Sequence, residues 1–241
     1  RMKTAICFTG TGRSLDHTHE NLKDNLIRKF DNSDVFILGA ENPHSDKLIK
    51  YFKNEKYVKS LIIEKEPDYD LSNLRFRPHW PASKLSSRQI YIKMIQSRKR
   101  MEQIVSNYEA QNNVSYDRVI FSRLDVRYFD NVYNHVEGLD LSAVYVPDFH
   151  NEFGGVINGY NDRFAVGNRD NMRTYFNIPD SIGVFMANGG NLHAETLLKW
   201  HMLYRQIKVL KIPVRFTRVR PDGGEEDTRI ENISEWNFGD T

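Results

Sequence analysis

The chain has 241 residues, 39% hydrophobic and 12% aromatic, enough for one large domain or a domain with a subdomain. Charged residues make up 27% and the formal net charge is +2, too even a balance to argue for nucleic acid as a partner. The single cysteine, Cys7, excludes an internal disulfide and a cysteine-built zinc site, and its place in an apolar run points to a reducing, cytoplasmic setting.

Residues 3–9 (KTAICFT) form a short apolar strand that runs into Gly10-Thr11-Gly12-Arg13-Ser14, a glycine turn with one basic side chain. Ser14 is placed to cap the next helix, where Leu15, Leu22, Leu26 and Phe30 recur at helical spacing. A second strand over 34–38 (DVFIL) ends at Gly39. Ser45 then opens a short helix carrying Leu48, Ile49 and Phe52, and 58–63 is a third strand. This β-α-β-α-β alternation predicts an α/β fold with a Rossmann-like, mostly parallel central sheet flanked by helices.

Residues 64–85 break the rhythm. Pro67, Pro78 and Pro81, with Arg75, Arg77, His79 and Trp80, make an irregular loop, either a lid or binding loop or a solvated excursion. Ser86-Ser87-Arg88-Gln89 fits a capping box that opens a helix to about Ala110. Ile90, Met94, Met101, Ile104, Val105 and Tyr108 are its core-facing stripe, and Arg88, Lys93, Arg98, Lys99 and Arg100 its basic face. Such a face is ordinarily solvated, although it also suits peripheral contact with an anionic membrane; the helix N-terminus, with Arg88, is placed to meet an anion.

The stretch Tyr116 to Asp130 (YDRVIFSRLDVRYFD) organises the rest. Val119-Ile120-Phe121 reads as a central strand covered on both faces, and Ser122, Arg123, Asp125 and Arg127 follow at its carboxyl end, where open α/β sheets bind ligands. A strand over 143–146, a Gly/Asn-rich loop over 151–161 and a strand over 163–166 come next. Gly167 and Asn168 lead into a helix with Met172, Tyr175 and Phe176, and 177–190 reads as loop. Asn191 caps a helix through about Ile207, 212–219 is a final strand, and a mobile tail begins at Pro221. No apolar stretch reaches membrane-spanning length, and the opening strand leaves no targeting segment expected; sequons at Asn113 and Asn232 carry little weight without a secretory signal.

The turn from Thr9 to Ser14 lets the backbone approach a ligand near a helix N-terminus that favours negative charge. A P-loop would need glycine at position 7 and lysine at 13, where Cys7 and Arg13 stand; a dinucleotide turn would need its third glycine at Leu15. A less specific nucleotide loop and a simple tight turn both stay open. In Arg123-Leu124-Asp125, a strand-end carboxylate can hold a divalent cation that grips a diphosphate, with an arginine on the same face for ribose or phosphate oxygens. The plain alternative is an ion pair closing the strand. Asp148, Asp162 and Glu195 are the acids that could activate a hydroxyl nucleophile. Glu195, beside His193 in the first turn of a helix, also suits the helix dipole, and Asp148-x-His150 is a single metal-ligating pair. His17 and His19 point to different sides of their helix, and Trp80, Trp200 and Trp236 are too scattered for a stacking platform.

The segments ICFTGTGRS, DVFIL, SSRQIYIK into YEAQNN, YDRVIFSRLDV, GYNDRFAVGNRDNM and HAETLLKW follow in an order that resembles nucleotide-sugar glycosyltransferases of the GT-A type. The likeness is closest to the compact ones of large DNA viruses and bacterial surface-polysaccharide clusters. It implies one GT-A-like domain over 1–241, with the nucleotide on 1–130, the acceptor over 131–220 and a mobile tail over 221–241. It further implies transfer of a hexosyl or pentosyl group from a UDP- or GDP-linked nucleoside diphosphate sugar to a hydroxyl of a glycan or glycoprotein. Thr9, Gly10, Thr11, Gly12 and Arg13 would border the nucleotide, with Arg88 and Arg123 as further donor contacts. Asp125 would ligate Mn²⁺ or Mg²⁺. Arg123 stands where the family has its first Asp, and an arginine can offset diphosphate charge without a cation. In an inverting reaction Asp162 or Glu195 would take the acceptor proton. The competing readings are a P-loop-like kinase or sulfotransferase and a non-catalytic glycan- or nucleotide-binding module of the same fold.

Overall fold

A computed structural model describes residues 2–78, 85–153 and 157–226. Strand β1 (Thr4–Gly10) lies in the interior of a seven-stranded sheet, its apolar run having a partner strand on each edge and helices on each face. β2 (Ser33–Ala40), β3 (Val58–Glu64) and β4 (Arg118–Arg123) run parallel to it, with β2 and β4 as its direct neighbours. β6 (Val144–Pro147), which follows the short helix α4 (Tyr133–Val136), β9 (Phe164–Gly167) and β10 (Val209–Ile212) complete the order β10-β6-β9-β4-β1-β2-β3, in which β9 is antiparallel to β4 and β6. β7 (Glu152–Phe153) and β8 (Ile157–Asn158) pair apart from this sheet. The α/β, mostly parallel sheet expected from the sequence is present.

Alternate residues of these buried runs serve opposite faces. Ile6, Phe8, Val35, Ile37 and Ile120 pack with Leu15 and Leu22 of α1 (Leu15–Asn25) and Leu48 and Phe52 of α2 (Ser45–Phe52). Ala5, Cys7, Phe36, Val119 and Phe121 pack on the other face against α3 (Leu85–Asn112), α5 (Arg169–Phe176) and α7 (Ala194–Tyr204). Two cores of this kind hold the carboxyl ends of β1 and β4 side by side, with Thr9 opposite Arg123.

Within 116–130 the expected strand is β4, and the chain then bends at Leu124 and Asp125 before β5 (Val126–Tyr128). Other expectations are corrected. The stretch 212–219 divides at Pro213, where β10 leaves the large sheet and β11 (Phe216–Val219) pairs with β5 and with β12 (Glu225–Glu226) in a small antiparallel sheet. The segment 177–190 is not loop throughout: a 3-10 turn over Ile178–Ser181 leads into α6 (Ile182–Ala187). Helix α7 begins after His193, so Asn191 does not cap it. Ser14 precedes α1, but its hydroxyl donates to the carbonyl of Val219 (2.8 Å) instead of capping.

On α3 the first residue is Leu85, and Gln89 turns away from capping to clamp the backbone of Tyr69, accepting from its N–H (3.2 Å) and donating to its carbonyl. Ile90 is 67% exposed, whereas Arg98, assigned to the basic face, is 0% exposed. Lys93 pairs with Asp68, Lys99 with Asp180 and Arg100 with Glu64, so this face is committed within the molecule. Among the described residues no helix is long and apolar enough to cross a membrane. His79, Trp80, Pro81, Asn232, Trp236 and most of the tail lie outside the described residues.

Candidate functional site

The glycine turn after β1 divides its roles. Gly10 has φ +135°, a backbone that other residues rarely adopt, and faces open space. It lines a polar cleft of about 280 Å³ at the carboxyl ends of β1, β2 and β3, with Gly39, Glu64, Tyr69, Ser97 and Arg100 also in the wall. Gly12 instead lies against the carbonyl of His44, leaving no room for a Cβ, so it fits the turn to the start of α2. The part of the 64–78 loop clamped by Gln89 forms one side of the cleft.

Beside Gly10, at the bend after β4, Asp125 organises a set of guanidinium groups. Arg123 donates to both of its oxygens, Nε to Oδ1 at 2.7 Å and Nη2 to Oδ2 at 2.6 Å. Arg218 Nε reaches Oδ2 at 3.2 Å from β11, and Arg13 Nη2 lies 3.8 Å from it across the glycine turn. Burial acts to raise the Asp125 pKa, but Arg123, then Arg218 and Arg13, outweigh it and hold the carboxyl well below the usual carboxylate range. Arg218 also approaches Glu226 (3.4 Å), which pairs with Arg220. Both oxygens of Asp125 thus face guanidinium groups, and among the described residues no group of three His, Cys, Asp or Glu side chains is assembled to hold a metal. That donor set fits an anion better than a hard divalent cation, which needs several oxygen ligands.

A second group of charges lies at the entry to β9. Asp162 accepts from Arg98 Nη2 at Oδ2 (2.8 Å) and at its backbone carbonyl (2.7 Å). The buried guanidinium lies over Phe121 (5.0 Å) and Tyr175 (5.7 Å), while its Nε and Nη1 find no hydrogen-bond partner among the described residues. Burial pushes the Asp162 pKa up, but Arg98, Arg123 and Arg163 together bring it below its ordinary value. Glu195, in the first turn of α7, has the opposite balance. Burial first, and then the charge of Asp162, push it up to about 7. Its carboxylate lies 3.2 Å from His193 Nε2, and its backbone carbonyl accepts from Tyr160 N (3.1 Å), which ties α7 to the chain leading into Asp162. Arg123, paired to Asp125, also acts electrostatically on Asp162 and so links the two groups.

The structure therefore gathers Arg13, Arg123 and Asp125, with Thr9 and Gly10 adjoining, and separately gathers Asp162 and Glu195. Thr11 lies in the turn between Gly10 and Gly12, and Gly12 serves packing. Arg88 lies elsewhere: its guanidinium sits 4.8 Å over the ring of Phe76, which bridges to Leu192. Asp148 is taken up by Arg215. Sequence reasoning missed Arg98, Arg163, Arg218 and Arg220. For the last two a signal existed, since residues 196–220 contain seven Lys or Arg and no Asp or Glu.

Fold and site together define an α/β protein with an arginine-rich cluster at the carboxyl end of β4 and, linked to it through Arg123, a buried Asp162 near a half-buried Glu195. The chain belongs to the family described as a domain of unknown function, DUF7796, whose profile matches residues 1–220. No curated protein matches the sequence. Among solved structures it is similar to the apo form of the glycosyltransferase GlyE of Streptococcus pneumoniae TIGR4, at 14% identity and a TM-score of 0.47 over 88% of this chain and 46% of that one. Another structure of GlyE matches at 14% identity and a TM-score of 0.45, over 87% of this chain and 45% of that one. The chain spans less than half the length of those proteins.

Proposed function

We propose that this chain is a glycosyltransferase that moves a sugar from a nucleoside diphosphate sugar, UDP- or GDP-linked, to a hydroxyl of a glycan acceptor. The observation that carries this reading is the arginine cluster around Asp125, with Arg123 paired across the sheet to Thr9, the residue before the cleft-lining Gly10, and acting electrostatically on Asp162. The order of sequence segments resembling GT-A enzymes supports the same reading.

In this mechanism the nucleoside lies in the cleft and the diphosphate beside Arg13, Arg123 and Arg218. The bond between the anomeric carbon and the diphosphate oxygen breaks, and the guanidinium groups meet the negative charge that develops on the leaving group. The acceptor oxygen forms the new bond to carbon. Glu195, the acid pushed up to about 7, takes the acceptor proton in an inverting displacement, matching a base to neutral pH. Asp162, fixed by Arg98, remains an anion and keeps the Glu195 proton affinity high. A divalent cation, where one is bound, would add further charge stabilisation to the departing diphosphate.

The test is a panel of UDP- and GDP-sugars, with ATP alongside, read by thermal shift and by release of free nucleotide. A ligand that binds only the folded chain raises its apparent stability. Stabilisation by one nucleoside diphosphate sugar, with slow hydrolysis of that donor removed by Glu195→Gln, is the expected result. A shift with ATP alone overturns the reading in favour of phosphoryl transfer, and binding of a sugar nucleotide without any turnover leaves a binding module.

A further inference from the structure

The charges around Asp125 do not balance. Four guanidinium groups, of Arg13, Arg123, Arg218 and Arg220, surround two carboxylates, of Asp125 and Glu226. The excess is two positive charges, the same as one divalent cation would carry. Arg123 already engages both oxygens of Asp125 in a bidentate pair and Arg218 adds a second donor at Oδ2, so a metal approaching this carboxylate meets guanidinium groups on each oxygen. What the carboxylate does instead is hold arginines from the β1 turn, the end of β4 and β11 in one place. Arginine forks present paired donors that match phosphate oxygens.

We infer that this site grips a diphosphate without a divalent cation, the arginine cluster supplying the counter-charge and Asp125 acting as a positioning residue. The inference rests on reading the site as a diphosphate seat. Glu226 extends it: its carboxylate lies on Arg218 and Arg220, so an arriving phosphate displaces it from guanidinium donors that it now occupies.

Isothermal titration of the full chain with inorganic pyrophosphate, first in EDTA and then with Mn²⁺, tests this. Binding in EDTA is expected, with added Mn²⁺ tightening it by less than about threefold. Losing one charge-assisted contact in Arg218→Ala is expected to weaken it by about tenfold or more. Glu226→Gln, a change at the surface sheet that spares the core, is expected to tighten binding severalfold. Circular dichroism of each variant checks that it is folded. Pyrophosphate held only with Mn²⁺, or not held in either buffer, overturns the inference. Unchanged affinity in Glu226→Gln overturns the displacement. Pyrophosphate held in EDTA by a chain that turns over no sugar nucleotide leaves the cation-free site standing and removes glycosyl transfer.

Discussion

Asp125 and Glu195 are both carboxyls withdrawn from water near the carboxyl ends of the central strands, yet they sit at opposite ends of the proton scale. Three guanidinium groups face Asp125, so it stays charged despite burial. Glu195 faces another carboxylate, Asp162, whose own arginine is spent on it, so burial and repulsion act in the same direction. Burial alone does not decide the charge of an acid; the partner does. One region thereby becomes a fixed cationic cradle and the other a place where a proton can come and go near neutral pH.

The comparison breaks most severely at Arg98. Replacing it with methionine strands the buried Asp162 charge, and a loss of about 3–5 kcal/mol in urea unfolding is expected. Adding Asp162→Asn to that variant should recover much of the loss; no recovery would mean that Arg98 serves packing over Phe121 and Tyr175 instead. Next comes Asp125→Asn, expected to cost about 2–3 kcal/mol by leaving Arg123 and Arg218 without their carboxylate. Because folding lowers the Asp125 pKa, its contribution is present above the ordinary carboxylate range and is lost as the pH falls below it. The melting temperature of the variant should therefore converge on that of the parent chain in acid.

Glu195→Gln sharpens the contrast, since its sign is reversed. Folding raises this pKa from 4.5 to about 7, so the folded chain binds the extra proton and stability falls as the pH rises between those values. The glutamine variant should melt higher than the parent above pH 7 and lose that advantage below about pH 4, which a pH series of melting curves reads directly. The rate of sugar transfer should rise through pH 7 in the parent as Glu195 deprotonates, and the variant should be inactive at every pH. The smallest effect belongs to Gln89→Ala, which frees Tyr69 at the cleft wall but touches neither acid. About 1 kcal/mol or less in stability is expected, with faster amide exchange at Tyr69 and both pH profiles unchanged.

The sheet was legible because buried parallel strands are written as unbroken apolar runs, as in residues 5–8 and 119–121. Its interruptions were not. Nothing local to YDRVIFSRLDVRYFD says that the chain turns at Leu124, since the bend is fixed by β11 arriving from residue 216 onward. Arg123 and Asp125 were found at the strand end, but their arginine partners come from β11 and the β1 turn, so the cluster exists only in three dimensions. Arg98 was misplaced for a related reason: a charged residue is assigned to the wet face of a helix unless its buried partner is known, and Asp162 lies 64 residues away.

Cys7 adds a practical consequence. It lies fully buried in β1, and burial pushes its thiol far above the usual range, so almost no thiolate exists to react with maleimides or iodoacetamide in the native protein. The chain thus comes chemically silent toward thiol reagents. A single cysteine placed at the exposed position of Ile90, next to the loop clamped by Gln89, can take a fluorophore or spin label without mutating Cys7. Any response of the cleft wall to a candidate ligand can then be read in an otherwise native molecule.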